Sequence, residues 1–491
     1  MRISLERDAG GSGPPVYRQI AEQIRARIDS RDLSLGSRLP AIRELAHELR
    51  VNRDTVALAY EELARAGVVE STVGRGTFVT QPAAPEMETL IEPELSAVAE
   101  RLLQLERRRP RFGTAPGAVP MHALVPDPAL YPVDAFRRAL NRVLQQGGSE
   151  LLLYGGPQGH MRMRELLAAR LRGAELQVET SDLVLCHGAS QGISLALRLF
   201  AAPGDAVALE EPTYNNVLAA VAGLGLEPVA VPMHEDGPDL AVLARVLARP
   251  EVKLFYTIPT FHNPMGITSG VAQRRALLEV AARASKPVIE DAYEADLRLD
   301  GRPVPALAAL DRSGLVVHLS SFSKSLFPGA RVGAIAAHGR LVDALLALKQ
   351  ATDLSDAMPL QAALAELIGS GAYDRHLAKL HPVLRARRDA LLEALREHMP
   401  EGTRWNEPEG GYQVWVELPA GVDTSELLPD AVAAGVLFAP GAQFNHDGRA
   451  SRCLRLTFAM ADEAALRRGA AALARVIRSR GQARRRDPVP I

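Results

Sequence analysis

Cysteine and long apolar stretches are scarce in this chain of 491 residues. The two cysteines, Cys186 and Cys453, lie far apart within apolar, strand-like stretches, which favours buried free thiols in a reducing compartment over a disulfide. No uninterrupted apolar stretch reaches the roughly 18 residues of a membrane helix, and residues 1–13 are too polar for a signal peptide. We therefore expect a cytoplasmic protein without membrane association.

An excess of charge of one sign is also missing, because the formal net charge is -1. This value excludes a chain that is basic throughout, although a local basic surface remains compatible with it. The length exceeds that of one ordinary hydrophobic core, so we expect two or more domains.

The sequence changes in character along the chain. Residues 14–80 are dense in short amphipathic helical patterns, whereas residues 81–115 are rich in proline and arginine and predict a linker with one helix at its centre. In residues 116–478, short apolar strands alternate with helical patterns, which indicates a layered α/β domain with a mainly parallel sheet. Residues 479–491 form a basic tail that we expect to be disordered.

Residues 14–80 predict three helices followed by a β-hairpin. Isoleucines recur every four residues from Ile20, and Pro40 suits the first turn of a second helix. Asn52 is a suitable N-cap for a third helix, which leaves Arg53 and Thr55 near the end where a recognition helix meets base edges.

This region resembles the winged helix-turn-helix of the GntR regulator family, through four motifs: Pro15-Val16-Tyr17-Arg18-Gln19-Ile20, Arg38-Leu39-Pro40, Arg43-Glu44-Leu45-Ala46 and Gly74-Arg75-Gly76-Thr77-Phe78-Val79. The resemblance implies binding of double-stranded operator DNA through five residues: Arg43, Asn52, Arg53, Thr55 and Arg75. Ala41 and Ala57 depart from the family pattern, so no operator preference transfers. The alternative is a small helical interaction domain whose arginines form a solvated surface.

Lysine is rare as well, with five in the whole chain. Lys324 lies in Ser320-Ser321-Phe322-Ser323-Lys324-Ser325-Leu326-Phe327-Pro328-Gly329-Ala330-Arg331-Val332-Gly333, between hydroxyl side chains and an arginine. A lysine amine condenses with an aldehyde, and pyridoxal 5'-phosphate is the cofactor that uses this chemistry.

Other residues in the large region suit the remaining parts of that cofactor. Residues 188–192 lie between an apolar strand and a helical pattern, so the amides of Ala189 and Ser190 would bind the phosphate together with Ser321 and Arg331. The ring would contact Asp291 at its nitrogen, Asn263 and Tyr293 at its oxygen and Tyr214 on its face, while Arg455 would bind a substrate carboxylate. Taken singly, each of these residues also has an ordinary structural interpretation, as a turn, an ion pair or a core aromatic. No metal site is predicted.

The order and spacing of these residues resemble the fold type I aminotransferases, from Tyr154-Gly155-Gly156-Pro157-Gln158-Gly159 to Gly410-Gly411-Tyr412, Pro440-Gly441 and Arg455. The resemblance implies that Tyr154 reaches the phosphate of a neighbouring subunit in a homodimer. Leu124 stands where relatives usually have glycine, so substrate identity does not transfer. Asn263 matches the enzymes, whereas some regulators of this architecture carry an aromatic residue there.

A GntR-type head joined to an aminotransferase-like body resembles the MocR/GabR family of transcription regulators. This resemblance implies a regulator that senses a small amino compound, or pyridoxal phosphate itself, through Lys324. The alternative is a catalytically active aminotransferase with an accessory DNA-binding head, and a third possibility is a sensor of the cofactor alone.

Overall fold

A computed structural model of the chain describes residues 3–5, 14–30, 32–72, 75–80, 93–110 and 117–486. Its contacts divide the chain into two compact units, Met1–Glu94 and Leu95–Ile491. Among the described residues, no helix is both long and apolar enough to cross a membrane.

In its described residues, the first unit contains three helices and a hairpin: α1 (Val16–Asp29), α2 (Ile42–Leu49), α3 (Arg53–Arg65), β1 (Val69–Thr72) and β2 (Gly76–Val79). Its core holds the apolar residues that recur at helical spacing, including Ile20, Ile24, Leu45 and Val56. The strands β1 and β2 pair antiparallel. The arrangement of three helices and a hairpin is the predicted winged helix-turn-helix.

The second unit has thirteen helices in its described residues: α4 (Ala97–Arg108), α5 (Val133–Gly147), α6 (Met161–Gly173), α7 (Ala189–Phe200), α8 (Asn215–Gly223), α9 (Leu240–Leu247), α10 (Val271–Ala284), α11 (Leu307–Leu310), α12 (Arg340–Gln350), α13 (Met358–Gly369), α14 (Ala372–His398), α15 (Thr424–Ala433) and α16 (Glu463–Arg486). Its strands are β3 (Val119–Pro120), β4 (Leu183–Cys186), β5 (Ala206–Glu211), β6 (Glu227–His234), β7 (Gly237–Pro238), β8 (Val252–Thr257), β9 (Val288–Ala292), β10 (Val316–Ser321), β11 (Gly333–Ala336), β12 (Arg404–Trp405), β13 (Gln413–Glu417), β14 (Val436–Leu437), β15 (Ala439–Pro440) and β16 (Cys453–Thr457).

Within the described residues, the largest sheet has eight strands in the order β4-β11-β10-β9-β8-β5-β6-β7. Six of them run in the same direction, while β11 and β7 run opposite to their neighbours. A second, antiparallel sheet has the order β12-β13-β16-β15, and β14 pairs with β3. The predicted α/β fold of the fold type I aminotransferase type is confirmed.

The largest sheet places the candidate residues at one edge. Lys324 follows the end of β10, Tyr214 follows β5, and Asp291 is the last residue but one of β9. Because parallel strands end at the same edge of a sheet, these side chains converge where ligands bind in α/β proteins.

The segment predicted as a linker contains α4, which packs against α8 in the second unit. The segment predicted as a disordered tail begins within α16, which continues through Arg486. This part of the tail differs from the expectation because alanine and arginine favour helix and the first proline is Pro488. Residues 81–92 and 487–491 lie outside the described residues, and the predicted domain boundaries stay predictions.

Candidate functional site

Lys324 lies just after β10, in a cluster of buried groups at the ends of β9 and β10 that includes Asp291, Glu294 and Arg455; we call this cluster the Lys324 pocket. Its Nζ donates a hydrogen bond to the Leu124 carbonyl at 2.5 Å, and the Tyr412 hydroxyl donates to the Lys324 carbonyl at 2.8 Å. Burial lowers the pKa of the Lys324 amine, while the nearby Glu294 carboxylate opposes this effect. A lowered lysine pKa favours the neutral amine, the form that attacks an aldehyde.

The turn between β4 and α7 suits a phosphate. Gly188 has a φ of 78°, and a Cβ added there would lie 3.0 Å from the Arg331 guanidinium. Arg331 donates to the His187 carbonyl at 2.6 Å, which holds its charge beside the first-turn amides of Ala189 and Ser190. Backbone amides at a helix N-terminus together with a guanidinium form a site for an anion.

Ser321 is the last residue of β10 and pairs with Gly333, which packs against this turn because a Cβ added to Gly333 would lie 3.0 Å from the Gly188 carbonyl carbon. Its Oγ accepts a hydrogen bond from the Ser323 amide at 3.2 Å, and its hydroxyl keeps a proton to donate.

Asp291 provides a buried carboxylate that fits a cationic ring nitrogen. Its Oδ2 accepts a hydrogen bond from the Tyr256 hydroxyl at 2.7 Å. Its Oδ1 is buried and has no hydrogen-bond partner among the described residues. Burial raises the pKa of Asp291 to about 6. An unpaired buried acceptor is costly, so a cationic partner would remove this cost.

The other side chains predicted to contact the cofactor ring also lie in this pocket. The Tyr293 hydroxyl accepts a hydrogen bond from Gln413 Nε2 at 2.6 Å, and Asn263 Oδ1 accepts from Arg455 Nη1 at 2.9 Å. Tyr214 is the N-cap residue of α8, and burial raises its pKa with a smaller contribution from Asp291.

Arg455 is a buried cation in β16 facing the same pocket. Besides its bond to Asn263, it donates from Nη2 to the His122 carbonyl at 2.9 Å and lies over the Phe444 ring. Burial lowers the pKa of Arg455 to about 10. Its Nε has no hydrogen-bond partner among the described residues. A carboxylate is the ligand that would best satisfy this group.

Three consecutive backbone carbonyls, His122, Ala123 and Leu124, are each bound by a side chain of the pocket. Arg455 binds the first, Thr457 Oγ1 binds the second at 2.8 Å, and Lys324 binds the third. We call residues 122–124 the carbonyl strap. Sequence reasoning missed it because a backbone carbonyl carries no residue signature.

Glu294 is a second feature that sequence reasoning missed. It is 1% exposed, and Gln413 Nε2 approaches its Oε2 at 3.4 Å. Burial raises the pKa of the Glu294 carboxyl, whereas Lys324 is the nearby charge that lowers it most. Its position directly after Tyr293, at the end of a buried strand, was the signal that could have identified it.

Tyr154 lies outside this pocket. Its side chain is 83% exposed, and Leu152 and Leu153 beside it are each 67% exposed. The Gly155 amide donates to Ser355 Oγ at 2.8 Å, which fixes the chain next to the tyrosine. The assignment of Tyr154 to a neighbouring subunit stays a prediction.

The candidate DNA contacts are grouped on the first unit. Arg43 is exposed on α2, Arg53 and Thr55 lie in the first turn of α3, and Arg75 is exposed beside β2. Asn52 caps α3, because its Oδ1 accepts from the Asp54 amide at 3.4 Å. The N-terminus of α3 is therefore ordered by Asn52, while Arg53 stays accessible.

Comparison with known proteins decides the family. The model of aminotransferase class I and II matches residues 126–473, and that of the bacterial regulatory proteins of the gntR family matches residues 16–79. The chain belongs to the aminotransferase class I and II family. This family depends on pyridoxal phosphate, and the gntR-family domain fused to it is a DNA-binding domain.

The relatives of this aminotransferase-family chain include proteins named as aminotransferases and proteins named as transcription regulators. Aromatic-amino-acid aminotransferase 1 of Thermococcus litoralis is 35% identical over 72% of this chain and 86% of that protein. The probable rhizopine catabolism regulatory protein MocR of Rhizobium meliloti is 29% identical over 90% of each chain. The crystal structure of the multiple substrate aminotransferase from Thermococcus profundus has a TM-score of 0.72 at 33% identity and covers 80% of this chain and 96% of its own. The resemblance to MocR-type regulators is confirmed.

The helix α4 connects the aminotransferase domain to residues nearer the N-terminus, and polar contacts fix it to α8. Arg109, the C-cap residue of α4, donates from Nη2 to Asn216 Oδ1 at 2.9 Å, and Asn216 Nδ2 donates to the Tyr214 hydroxyl at 2.8 Å. Arg101 binds both carboxylate oxygens of Glu227, at 2.9 and 3.2 Å. A hydrogen-bonded chain therefore joins α4 to the tyrosine predicted to stack on the cofactor.

Proposed function

We propose that this protein is a pyridoxal-phosphate-dependent, DNA-binding transcription regulator that senses an amino compound, or the cofactor itself. The observation that carries the proposal is that Asp291, Tyr293 and Arg455 lie close to Lys324, in a chain that also has a gntR-family domain. The unpaired Oδ1 of Asp291 supports the cofactor assignment because the ring nitrogen would satisfy it.

Individual residues of the chain would hold different parts of the cofactor. Lys324 would bind its aldehyde, Asp291 would keep the ring nitrogen protonated, and Tyr214 would lie on the ring face. The phosphate would be held by the anion site: Ala189, Ser190, Ser321, Arg331 and, from a second subunit, Tyr154. When bound, the cofactor supplies an aldehyde for amines and an electron sink.

The hydrogen-bonded chain from Tyr214 through Asn216 to Arg109 provides a route from this site towards the head. A ring lying on Tyr214 would restrict its hydroxyl, and with it the contact that fixes the end of α4. Because α4 is the part of the second unit nearest in sequence to the gntR-family domain, its docking is the property that site occupancy would change.

The carbonyl strap supplies a second change on loading. Cofactor bound to Lys324 would remove the bond to the Leu124 carbonyl, and a ligand carboxylate on Arg455 would compete with the His122 carbonyl. The strap therefore has different partners in the empty and loaded states, as a sensing element requires.

The decisive experiment combines an absorbance titration with DNA binding. Full-length protein loaded with pyridoxal phosphate is titrated with a panel of amino compounds, and its affinity for DNA from its own promoter region is measured by fluorescence anisotropy. We expect an active compound to change both signals, and Lys324→Ala to abolish both responses. Lys379→Ala, which removes an exposed lysine of the same domain, is the matched control and should behave as wild type.

Unchanged DNA affinity with the cofactor, with every amine and in Lys324→Ala would overturn the proposal. A response to pyridoxal phosphate with no amine present would identify the cofactor itself as the signal. Both results are read from the same titration.

The second candidate function is an active aminotransferase. It is favoured by Asn263 in the pocket and by the 35% identical relative named as an aminotransferase. Conversion of the cofactor to its amine form by an amino acid, followed by turnover on adding a keto acid, would support it. Loss of DNA binding in Arg53→Ala with an unchanged cofactor spectrum would support the regulator.

A homodimer completes the proposed site. The exposed side chains of Leu152, Leu153 and Tyr154 support it, because an apolar patch of this kind is typical of an interface. Sedimentation velocity tests the assembly directly, and a monomeric cofactor-loaded protein would contradict it.

A further inference from the structure

Glu294 is an acid in the Lys324 pocket to which neither the cofactor assignment nor the DNA-binding function gives a role. It is 1% exposed, and its Oε1 has no hydrogen-bond partner among the described residues. A Cβ added to Gly411 would lie 2.5 Å from Glu294 Oε2, so the backbone at Gly411 packs tightly against the carboxylate. A buried carboxylate with an unpaired oxygen is costly unless a cation approaches it.

The cation available to Glu294 is the Lys324 ammonium, because two adjacent residues contact both groups: the Tyr412 hydroxyl donates to the Lys324 carbonyl at 2.8 Å, and Gln413 Nε2 approaches Glu294 Oε2 at 3.4 Å. Among the charged groups that act on Lys324, Glu294 raises the pKa of the amine most, and Asp291 raises it less. Arg455 and Arg331 lower this pKa. The Lys324 Nζ already has one acceptor, the Leu124 carbonyl at 2.5 Å. The Lys324 amine therefore has a carbonyl that it binds and a nearby carboxylate that can balance its charge.

We propose that Glu294, together with the Leu124 carbonyl, is the docking site for the Lys324 ammonium that an amine effector releases from the cofactor. In this role Glu294 is a positioning residue that sets the balance between lysine-bound and effector-bound cofactor. The inference rests on the proposed function, because it concerns the exchange by which that function senses an amine.

The exchange balances in atoms and charge. Lys324 gives up its carbon–nitrogen double bond to the aldehyde carbon, and the nitrogen of the incoming effector forms the equivalent bond. The effector enters as an ammonium and loses three protons, which Lys324 nitrogen accepts, so Lys324 leaves as an ammonium. Glu294 favours this outcome because it stabilises the charged, released lysine.

The sign of the effect separates this role from a structural one. Glu294→Gln keeps the shape of the side chain but removes the charge, so the released ammonium becomes less stable. We expect the amine concentration for half-exchange at neutral pH to rise about tenfold, the change that follows from about one pKa unit on Lys324. Lys324 should at the same time attach the cofactor more tightly than in wild type, because attachment consumes the neutral amine.

The test uses the full chain and the visible absorbance of the lysine-bound cofactor. Wild type, Glu294→Gln and Glu294→Asp are titrated first with pyridoxal phosphate and then with an amine that exchanges on the wild type. Glu294→Asp keeps the charge and should restore most of the exchange. Glu409→Gln is the matched control, because Glu409 pairs with Arg298 and is half-exposed.

The pH dependence provides a further readout. Glu294 faces Lys324, Arg455 and Tyr293, and of these groups Glu294 is the one that acidification neutralises. The difference between wild type and Glu294→Gln should therefore shrink as the pH falls. A purely structural effect of the substitution would persist at low pH.

The inference would be overturned if Glu294→Gln weakened both cofactor attachment and amine exchange. It would also be overturned if the substitution changed neither quantity. Failure of the proposed function gives a different pattern. If no amine displaces Lys324 in wild type, the sensing of amines fails, while the tighter cofactor attachment expected of Glu294→Gln still tests the role of Glu294.

Discussion

Substitution of Arg109 tests the connection between the cofactor site and α4. Arg109→Ala removes the hydrogen bond to Asn216 and the ion pair with Glu106, whose atoms are 3.2 Å apart. The Arg109 side chain is 37% exposed, so solvent screening leaves the ion pair a few tenths of a kcal/mol, while the hydrogen bond contributes about 1 kcal/mol. The sum of these two free energies corresponds to a roughly five- to tenfold increase in the equilibrium constant for opening of the C-terminal turn of α4.

Hydrogen–deuterium exchange of peptides covering Ala97–Arg108 measures this opening with and without pyridoxal phosphate. In wild type, we expect the cofactor to slow exchange in the last turn of α4. In Arg109→Ala, exchange should be faster and no longer respond to the cofactor. Arg101→Ala is the matched control. It loosens the same helix by removing the contacts with Glu227, but it leaves the hydrogen bonds from Arg109 through Asn216 to Tyr214 intact.

Equal cofactor protection of α4 in wild type and Arg109→Ala would refute the proposed route. Loss of protection in both Arg101→Ala and Arg109→Ala would refute it as well, because general loosening of the helix would then be sufficient. The cofactor absorbance of each variant is recorded as a control. It should equal that of wild type, because both substitutions leave Tyr214 and Lys324 unchanged.

Three other predictions concern separate parts of the molecule. Arg53→Ala should weaken DNA binding by about 1–3 kcal/mol and reduce the preference for promoter DNA over unrelated DNA, measured by anisotropy, with the cofactor spectrum unchanged. Burial raises the pKa of Asp291 from 3.8 to about 6. The free energy of unfolding therefore includes a favourable contribution from protonated Asp291 below pH 4, and this contribution is lost as the pH rises through 6. The cofactor-free Asp291→Asn protein should therefore be more stable than wild type by about 3 kcal/mol at pH 8 in urea unfolding and equally stable at pH 4, and equal stability at both values would contradict this. Leu152→Asp places a charge in the exposed apolar patch and should shift the protein towards monomer in sedimentation velocity, with weaker retention of the cofactor.

The parts of the fold that the sequence predicts are those with local signals. The winged helix-turn-helix follows from apolar periodicity, the Asn52 cap and the hairpin glycines, and each acts within a few residues. The convergence of Asp291 and Lys324 was predictable because both lie at the ends of strands that run parallel in one sheet.

The parts that sequence reasoning missed depend on long-range or backbone contacts. The bond between Arg109 and Asn216 joins residues 107 positions apart, and neither belongs to a motif. The carbonyl strap uses backbone atoms, which every residue possesses. Glu294 was missed because a single acid after a strand is common, and only its burial beside Lys324 distinguishes it.

The contacts of the carbonyl strap explain why ligand binding would affect residues beyond the pocket. Arg455 and Lys324 bind the His122 and Leu124 carbonyls, so a ligand at either side chain must compete with contacts that the chain itself makes. Each hydrogen bond exchanged is worth about 1 kcal/mol, and two of them reach the 1–3 kcal/mol typical of coupling between sites. In the proposed regulator, this competition would give two states whose difference in free energy an effector can reverse.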